Sequence, residues 1–334
     1  MLRSHRNKRR ARRPSTAAAA MLAVLSTAAT GAQAQVAENP FSWAYPPQRS
    51  EDAPEPEIFD SARQQMPGSE REYIFSDIGP YSPADWHPDG HPTMPPIVAE
   101  GREPVMACAF CHLANGQGKP ENAGLTGQPA AYIVQQMADF AAGLRQTSDP
   151  TLTTVANMLP ISANATDEEV RAAADYFAST PPSKWITVVE ADTVPQTYIA
   201  SWLHVAHENG GSEPLGQRIL EMPMDFERTE WRDDRSGFIA YVPVGSLARG
   251  ETLARTGGND RTVPCSNCHG DDLRGLGPVP GIAGRSPSYM VRQIYDFQTG
   301  ARQGLWSPLM AAVVEDLSTD DVIDLVAWLS SLDP

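Results

Sequence analysis

The sequence predicts a mainly α-helical protein in which two similar helical domains are joined by a long, partly β connection. Three observations support this fold class. The chain repeats part of itself at an offset of 157 positions. Apolar residues in both copies recur at helical spacing, and two short β-rich runs lie between the copies. A length of 334 residues accommodates two domains of ordinary size and additional segments.

The internal repeat extends well beyond the short cysteine motif at the start of each copy. Residues 125–146 align with residues 282–303 without a gap. A five-residue insertion in the first copy then changes the offset to 152, and Met158 falls on Met310. Because the match resumes after the insertion, the two copies are homologous domains.

Helix signals recur in both copies. Pro287 is a favourable first-turn residue for the middle helix of the second copy. Thr166 and Ser318 are each followed three residues later by an acid, which predicts a capped final helix in both domains. Short helices are expected ahead of each motif, around 98–102 and 247–255. Each copy is therefore a small helical bundle.

Two segments lie outside the repeat. Thirteen of the 30 prolines fall between Pro40 and Pro104, which predicts an extended, irregular N-terminal arm that packs through its Trp and Tyr residues. Residues 185–189 and 238–242 have strand character and predict a small β element that braces the two domains. The predicted boundaries are a signal peptide at 1–34, the arm at 35–96, domain 1 at 97–180, the connection at 181–245 and domain 2 at 246–334.

The first 34 residues have the pattern of a secretory signal. Seven basic residues and no acid precede or flank an Ala-rich apolar stretch, and Ala32-Gln33-Ala34 is a small-x-small cleavage pattern. The apolar stretch is short and weakly hydrophobic for a membrane span. We therefore expect cleavage after Ala34 and a periplasmic protein without a stable transmembrane anchor.

The composition excludes nucleic-acid binding. Lys and Arg total 26 against 41 Asp and Glu, giving a formal net charge of −15, and such a surface repels phosphate backbones. Partner proteins with basic docking patches are the partners this charge favours.

The four cysteines form two copies of Cys-x-x-Cys-His, which is the attachment signal for c-type haem. Two thiols three residues apart can form thioethers to one porphyrin, and the following imidazole can bind its iron. A thioredoxin-like motif would need a βαβ setting, and a single zinc site would leave both histidines unexplained. The sequence therefore predicts two covalently bound haem c groups, with thioethers from Cys108, Cys111, Cys265 and Cys268 and iron ligands from His112 and His269.

The order of helix, Cys-x-x-Cys-His, loop, helix, methionine and capped helix resembles class I cytochromes c. More closely, it is similar to the dihaem cytochrome c4 type over residues 97–180 and 246–333. This resemblance implies class I cytochrome c-like folds and axial iron ligands from Met158 and Met310. Arg145, Arg285 and Arg302 are candidates to pair with haem propionates.

The two predicted haem sites differ in detail. The resemblance implies that the carbonyl of Pro280 accepts the proximal histidine N–H in the second copy. The first copy has Ala123 at that position, and Leu113 where Gly270 follows the histidine. We therefore expect inequivalent haems, with the first less typical.

The remaining histidines leave other chemistries open. His204 and His207 could reach an iron and give a bis-histidine centre, and His87 and His91 could bind a metal, although surface positions are expected for all four.

The leading hypothesis from the sequence is an exported dihaem electron carrier, not an enzyme. It would take single electrons from a periplasmic dehydrogenase or membrane cytochrome complex and pass them to a terminal oxidase or reductase. The alternative is a dihaem oxidoreductase, a peroxidase or an enzyme oxidising sulfur compounds, with one open or histidine-ligated haem. A cysteine iron ligand is excluded, since all four thiols are committed to thioethers.

Overall fold

Helices outnumber strands in the computed structural model, which describes residues 39–54, 62–258 and 261–334. The predicted signal peptide lies outside these residues. The helices are α1 (Pro96–Ala99), α2 (Cys108–His112), α3 (Ala130–Ala141), α4 (Thr154–Asn164), α5 (Asp167–Ser179), α6 (Phe226–Glu230), α7 (Ser246–Thr256), α8 (Ser266–His269), α9 (Pro287–Gln298), α10 (Ser307–Val314) and α11 (Thr319–Ser331). The strands are β1 (Arg63–Gln65), β2 (Glu72–Ile74), β3 (Ile186–Glu190), β4 (Thr193–Pro195), β5 (Thr197–Ala200), β6 (Leu203–Ala206), β7 (Ser212–Pro214), β8 (Leu220–Pro223) and β9 (Phe238–Val242).

The two sequence repeats fold into the same succession of helices. In the first repeat α2 is followed by α3, α4 and α5, and in the second α8 is followed by α9, α10 and α11. Both final helices begin with a capping box. Thr166 accepts a hydrogen bond from the backbone N–H of Glu169, and Ser318 accepts one from that of Asp321. The local signals read from the sequence therefore set the start of both helices.

Each repeat has its own apolar core. In the first repeat, Val98 of α1, Ile133 of α3 and Phe177 of α5 belong to one buried cluster. In the second, α7 lies directly against α11. A Cβ added at Gly250 would come within 1.9 Å of the carbonyl oxygen of Asp324, so only glycine allows this close approach.

Helices α4 and α10 were not expected from the sequence, which placed Met158 and Met310 simply ahead of the final helix. The structure places both methionines within helices. Pro160 lies inside α4, where it removes one backbone donor and hides the helical pattern. Pro308 occupies the first turn of α10, where proline is tolerated.

The connection between the repeats contains a three-stranded sheet. Strand β9 lies in the middle, parallel to β3 and antiparallel to β8. The predicted strand segments match β3 to within one residue and β9 fully. Glu221 on β8 accepts hydrogen bonds from Ser286 Oγ (2.8 Å) and the Ser288 N–H (3.0 Å) at the start of α9. The sheet is thereby attached to the second repeat.

The N-terminal arm packs on both the second repeat and the connection, as its aromatic content suggested. Tyr45 is 1% exposed, and its hydroxyl donates to Asp296 Oδ1 of α9 at 3.3 Å. Further along the arm, Trp86 Nε1 donates to the carbonyl of Trp231 at 2.7 Å. Irregular backbone is stabilised here by buried aromatic side chains with satisfied polar atoms.

A symmetric hydrogen-bond network joins the two repeats. The guanidinium of Arg145 donates to Gln136 of its own repeat and to Gln293 of the other at 3.0 and 2.9 Å. Arg302 mirrors this arrangement, donating to Gln293 at 2.9 Å and Gln136 at 2.8 Å. Both arginines are 8% exposed. Each glutamine oxygen therefore accepts from both arginines, and neither repeat can complete the network alone.

Tyrosine hydroxyls complete the network on each side. Arg145 donates to Tyr289 at 2.7 Å and Arg302 donates to Tyr132 at 3.0 Å. Each guanidinium also stacks on a phenylalanine of its own repeat, Phe140 or Phe297. Since these partners occupy matched positions in the repeat, the contact has approximate two-fold symmetry.

Replacing Gln136 by methionine should destabilise the protein by about 1–3 kcal/mol, because two buried guanidiniums each lose an acceptor. Urea unfolding followed by far-ultraviolet circular dichroism measures this loss. The matched control is Gln135→Met one position earlier on α3, since Gln135 bonds only to Asp139 within its own helix in the described structure. Equal unfolding midpoints for the two variants would show that the network does not stabilise the contact.

The ion pair between Arg102 and Glu169 should make stability depend on pH. Arg102 Nη2 donates to Glu169 Oε2 at 2.8 Å and to the carbonyl of Asn164 at 2.9 Å, joining the end of α4 to the start of α5. This guanidinium lowers the pKa of Glu169 to about 2. Its stabilisation is therefore complete above the unfolded-state pKa of about 4.3 and is lost as the pH falls toward 2.

Glu169→Gln should accordingly unfold at lower urea concentration than the native protein at pH 7, and this difference should shrink as the pH falls from about 4.3 toward 2. The same substitution at Glu168, which has no such pair among the described contacts, serves as the control. A difference in unfolding midpoint that does not change with pH would refute the assignment of this effect to the ion pair between Arg102 and Glu169.

Candidate functional site

Each Cys-x-x-Cys-His motif forms a single helical turn. Helix α2 consists of the first motif, and α8 begins directly after Cys265 and ends at His269. One turn of helix places the histidine on the same side as the first cysteine of its motif. No disulfide joins any of the four cysteines.

The first sulfur atom of each motif lies in surroundings that favour an uncharged state. Burial raises the pKa of the Cys108 thiol to about 12 and that of Cys265 to about 11. Redox-active thiols have a lowered pKa, so these two positions do not suit a redox-active thiol. A thioether is uncharged and fits such an apolar setting.

Both proximal histidines donate from Nδ1 to a backbone carbonyl. His112 Nδ1 lies 2.8 Å from the Ala123 oxygen, and His269 Nδ1 lies 2.7 Å from the Pro280 oxygen. Burial lowers the pKa of both imidazoles and so favours their neutral form. With the proton on Nδ1, the lone pair of Nε2 is free to bind a metal. Together with the paired thiols, this donor set fits a covalently attached haem at both motifs.

The hydrogen bond in the first repeat does not depend on proline. Ala123 replaces Pro280 in sequence, yet its carbonyl supports His112 at nearly the same distance. Any residue supplies a backbone acceptor, so this substitution does not make the two sites unequal.

A backbone difference after the histidine does distinguish the sites. Gly270 has φ +85°, a region that glycine adopts freely. Leu113 has φ +66° at the matched position, which costs a non-glycine residue about 1–2 kcal/mol. Its side chain is 2% exposed and packs in a core cluster, and this burial offsets the strain. The first site is thus the less typical one in conformation.

The candidate axial methionines lie in the same cores as the motifs. Met158 and Cys108 both pack, half-buried, against the core of the first repeat. Met310 and Cys265 do the same in the larger cluster that includes the second repeat. Each methionine therefore packs against the same apolar core as the first cysteine of the motif in its own repeat. Iron ligation by Met158 and Met310 stays a prediction.

The three candidate propionate partners all lie where the repeats meet. Arg145 and Arg302 direct their Nη atoms to the glutamines and tyrosines described above. Arg285 differs, because Nη2 donates to the Thr126 carbonyl at 2.9 Å while its Nε is buried without a hydrogen-bond partner among the described residues. An orphaned donor on a buried cation fits an anionic group that completes the site, such as a haem carboxylate. This role also stays a prediction.

Side chains of one repeat support the histidine loop of the other. Gln128 exchanges two hydrogen bonds with the backbone of Gly281, at 2.8 and 2.9 Å. Gly281 directly follows Pro280, whose carbonyl holds His269. Arg285, at the position matching Gln128, donates to the backbone of Thr126 in the first repeat. The repeat alignment contained Gln128, Gln136 and Gln293, but only the fold shows that their side chains cross between the copies.

The other histidines are engaged by protein groups. His204 lies on β6, where Nε2 is 3.2 Å from the Trp43 carbonyl and Nδ1 is 3.3 Å from Thr197 Oγ1. His207 contacts the ring of Tyr198 and lies 3.9 Å from Asp52.

The expectation that His87 and His91 are surface residues was wrong. His87 is 1% exposed, and the side chain of His91 is 3% exposed. Both are buried because the arm folds against the connection, and their carboxylate partners include Asp233 and Asp85. Asp233 is 146 residues away in sequence, so no local pattern could reveal this pairing.

No helix in the described part of the chain has the length and apolar character needed to cross a membrane.

Comparison with known proteins finds c-type cytochromes. A family model described as cytochrome c matches residues 98–181. Cytochrome c-554(548) of Halomonas halodenitrificans is 36% identical over 22% of this chain and 90% of its own length. The thiosulfate dehydrogenase electron acceptor of Stutzerimonas stutzeri is 26% identical over 68% of this chain and 80% of its own length. Cytochrome c4 of Pseudomonas aeruginosa is 23% identical over 70% of this chain and 88% of its own.

These similarities agree with the motif geometry and with the two-repeat architecture. The family model covers the first repeat, and the c4-type relatives span both. The chain belongs to the cytochrome c family, whose members bind haem c covalently, and within it resembles the cytochrome c4 type.

Proposed function

We propose that this protein is an exported dihaem electron carrier with one haem c at each motif. The observation that carries the proposal is the equivalence of the two sites. Both have paired thiols, a buried histidine whose Nδ1 donates to a carbonyl, and a methionine on the same core. A bound haem supplies an iron that can change its charge by one electron.

The side chains of this chain hold such an iron in one coordination state. Thioethers from the cysteine pairs would hold the ring, and Nε2 of His112 or His269 would be one iron ligand. The sulfur of Met158 or Met310 would be a second ligand and would favour the reduced form. The carbonyls of Ala123 and Pro280 keep the imidazoles oriented, and the apolar cores limit water access.

An electron carrier is favoured over an enzyme by the engagement of the remaining histidines. An oxidoreductase of this architecture would need an open iron or a histidine in place of a methionine. Both ring nitrogens of His204 have protein partners, and His207 packs on Tyr198. Neither residue is poised to replace a methionine.

The relatives indicate the class of partner. One curated relative is named as an electron acceptor of thiosulfate dehydrogenase, which is the role of a carrier. We propose that a periplasmic dehydrogenase or a membrane cytochrome complex donates electrons, and that a terminal oxidase or reductase receives them. The net charge of −15 favours partners with basic docking patches. Export follows from the signal pattern at 1–34, with cleavage after Ala34.

Optical spectroscopy of the holoprotein tests the ligand assignment. The far-red charge-transfer band of the oxidised protein should have the intensity expected for two methionine-ligated haems. Met158→Leu and Met310→Leu should each remove about half of it, because leucine keeps the volume but has no sulfur donor. Met137→Leu on α3 and Met290→Leu on α9 are the controls and should retain the full band.

Carbon monoxide distinguishes a carrier from an enzyme. The reduced native protein should bind none, whereas each axial methionine variant should bind one equivalent. Binding by the native protein, or a bis-histidine spectrum, would overturn the carrier proposal at that haem.

Arg285→Gln tests the propionate assignment. Loss of a buried positive charge beside a haem carboxylate should lower one of the two reduction potentials by on the order of 30–60 mV, roughly a three- to tenfold change in the redox equilibrium. Spectroelectrochemical titration measures both potentials. Arg274→Gln, on an exposed arginine of the same repeat, should leave both unchanged. Unaltered potentials in Arg285→Gln would assign that side chain to the repeat contact alone.

A further inference from the structure

A buried cluster of one histidine and two aspartates lies where the arm meets the connection. It consists of His87 between β2 and α1, and of Asp233 and Asp234 between α6 and β9. One potential ligand atom from each residue lies within 4.8 Å of the others. His87 Nε2 is 3.0 Å from Asp233 Oδ1 and 3.9 Å from Asp234 Oδ1. The side chains are 1%, 0% and 4% exposed.

One carboxylate oxygen of this cluster lacks a hydrogen-bond partner. Asp234 Oδ1 is buried and accepts no hydrogen bond from any residue the structure describes. Asn115 reaches Asp234, but its amide donates to the backbone carbonyl. A buried, unpartnered carboxylate oxygen is costly, and its position facing a histidine nitrogen indicates a missing cation.

The surrounding charges are already paired with other groups. Arg228 Nε donates to Asp233 Oδ2 at 2.8 Å, on the side away from His87. Asp85 is held by Arg71 and by His91 Nε2, at 3.0 and 3.1 Å. Arg235 directs its guanidinium to the exposed Asp89. None of these described arginines therefore donates to Asp234 Oδ1.

We propose that His87, Asp233 and Asp234 bind a divalent transition-metal ion, with Zn²⁺ as the best match. Nε2 of the histidine and one oxygen of each aspartate supply three ligands whose two negative charges a divalent cation neutralises. Imidazole nitrogen with carboxylate oxygens is a ligand set of zinc proteins, and the observed spacings fit metal–ligand distances of about 2.0–2.2 Å. Arg228 acts as an outer partner that orients Asp233.

The metal would fasten the arm to the first haem motif. Arg232, two residues before Asp234, stacks on the ring of Phe110 at 3.9 Å, and Phe110 lies between the two cysteines of α2. Asn115 follows the proximal histidine by three residues and holds the backbone of Asp234 at 2.8 Å. A cation at His87 thus locks together three segments that are distant in sequence.

The test uses the purified holoprotein treated with EDTA and then titrated with ZnCl₂ by isothermal calorimetry. We expect one zinc per chain in addition to haem iron, and a higher unfolding temperature with zinc than without. Asp234→Asn should weaken zinc binding by more than about 100-fold, since the loss of an outer partner alone costs about 10- to 100-fold. The unfolding temperature of the Asp234→Asn variant should not change when zinc is added. Mn²⁺ and Mg²⁺, titrated in parallel, establish selectivity.

Two further variants make the outcome decisive. Asp89→Asn removes an exposed acid beside the cluster and should bind zinc as the native protein does. His87→Gln should lose zinc binding. Without metal, Asp234→Asn should unfold at or above the unfolding temperature of the metal-free native protein, because the substitution removes an unpaired charge. Zinc binding that persists in both Asp234→Asn and His87→Gln, or no stoichiometric binding by the native protein, would overturn the proposal.

Discussion

Two buried guanidinium groups determine how the halves of this molecule meet. Arg145 and Arg302 cannot be removed from water without acceptors, and two of the three side-chain acceptors that each one uses belong to the other repeat. A sliding motion of one repeat against the other would leave several buried donors unpaired. The orientation of the repeats is therefore specified by polar groups and not by apolar area alone.

The contact between the repeats also holds the backbone segments to which the proximal histidines are hydrogen-bonded. Gln128 of the first repeat holds Gly281, and the preceding carbonyl holds His269. In the opposite direction, Arg285 holds Thr126, three residues after the carbonyl that supports His112. The environment of each histidine thus depends on the partner repeat. These hydrogen bonds connect the surroundings of the two proposed haem sites.

The sequence was most informative where the determinants are local. The capping boxes at Thr166 and Ser318 depend on residues close in the chain, and so do the motif cysteines and histidines. Each of these patterns occurs twice, once in each repeat. Helix α4 was missed because Pro160 interrupts its pattern, and the partners of Arg145 and Arg302 were missed because the pairing crosses between copies. His87 illustrates the limit most clearly. Its environment is created by two aspartates that become neighbours only after the arm and the connection have folded together.

The contacts of the arm also constrain the order of folding. Tyr45 is 251 residues from Asp296, its hydrogen-bond partner on α9, and Arg292 of the same helix donates to the carbonyl of Ala44. The segment at Ala44 and Tyr45 therefore cannot make these contacts until the second repeat has formed. Closing so long a loop is entropically costly and slow, so the arm is among the last segments to dock. Until that docking surface exists, the ring of Tyr45 stays in contact with water.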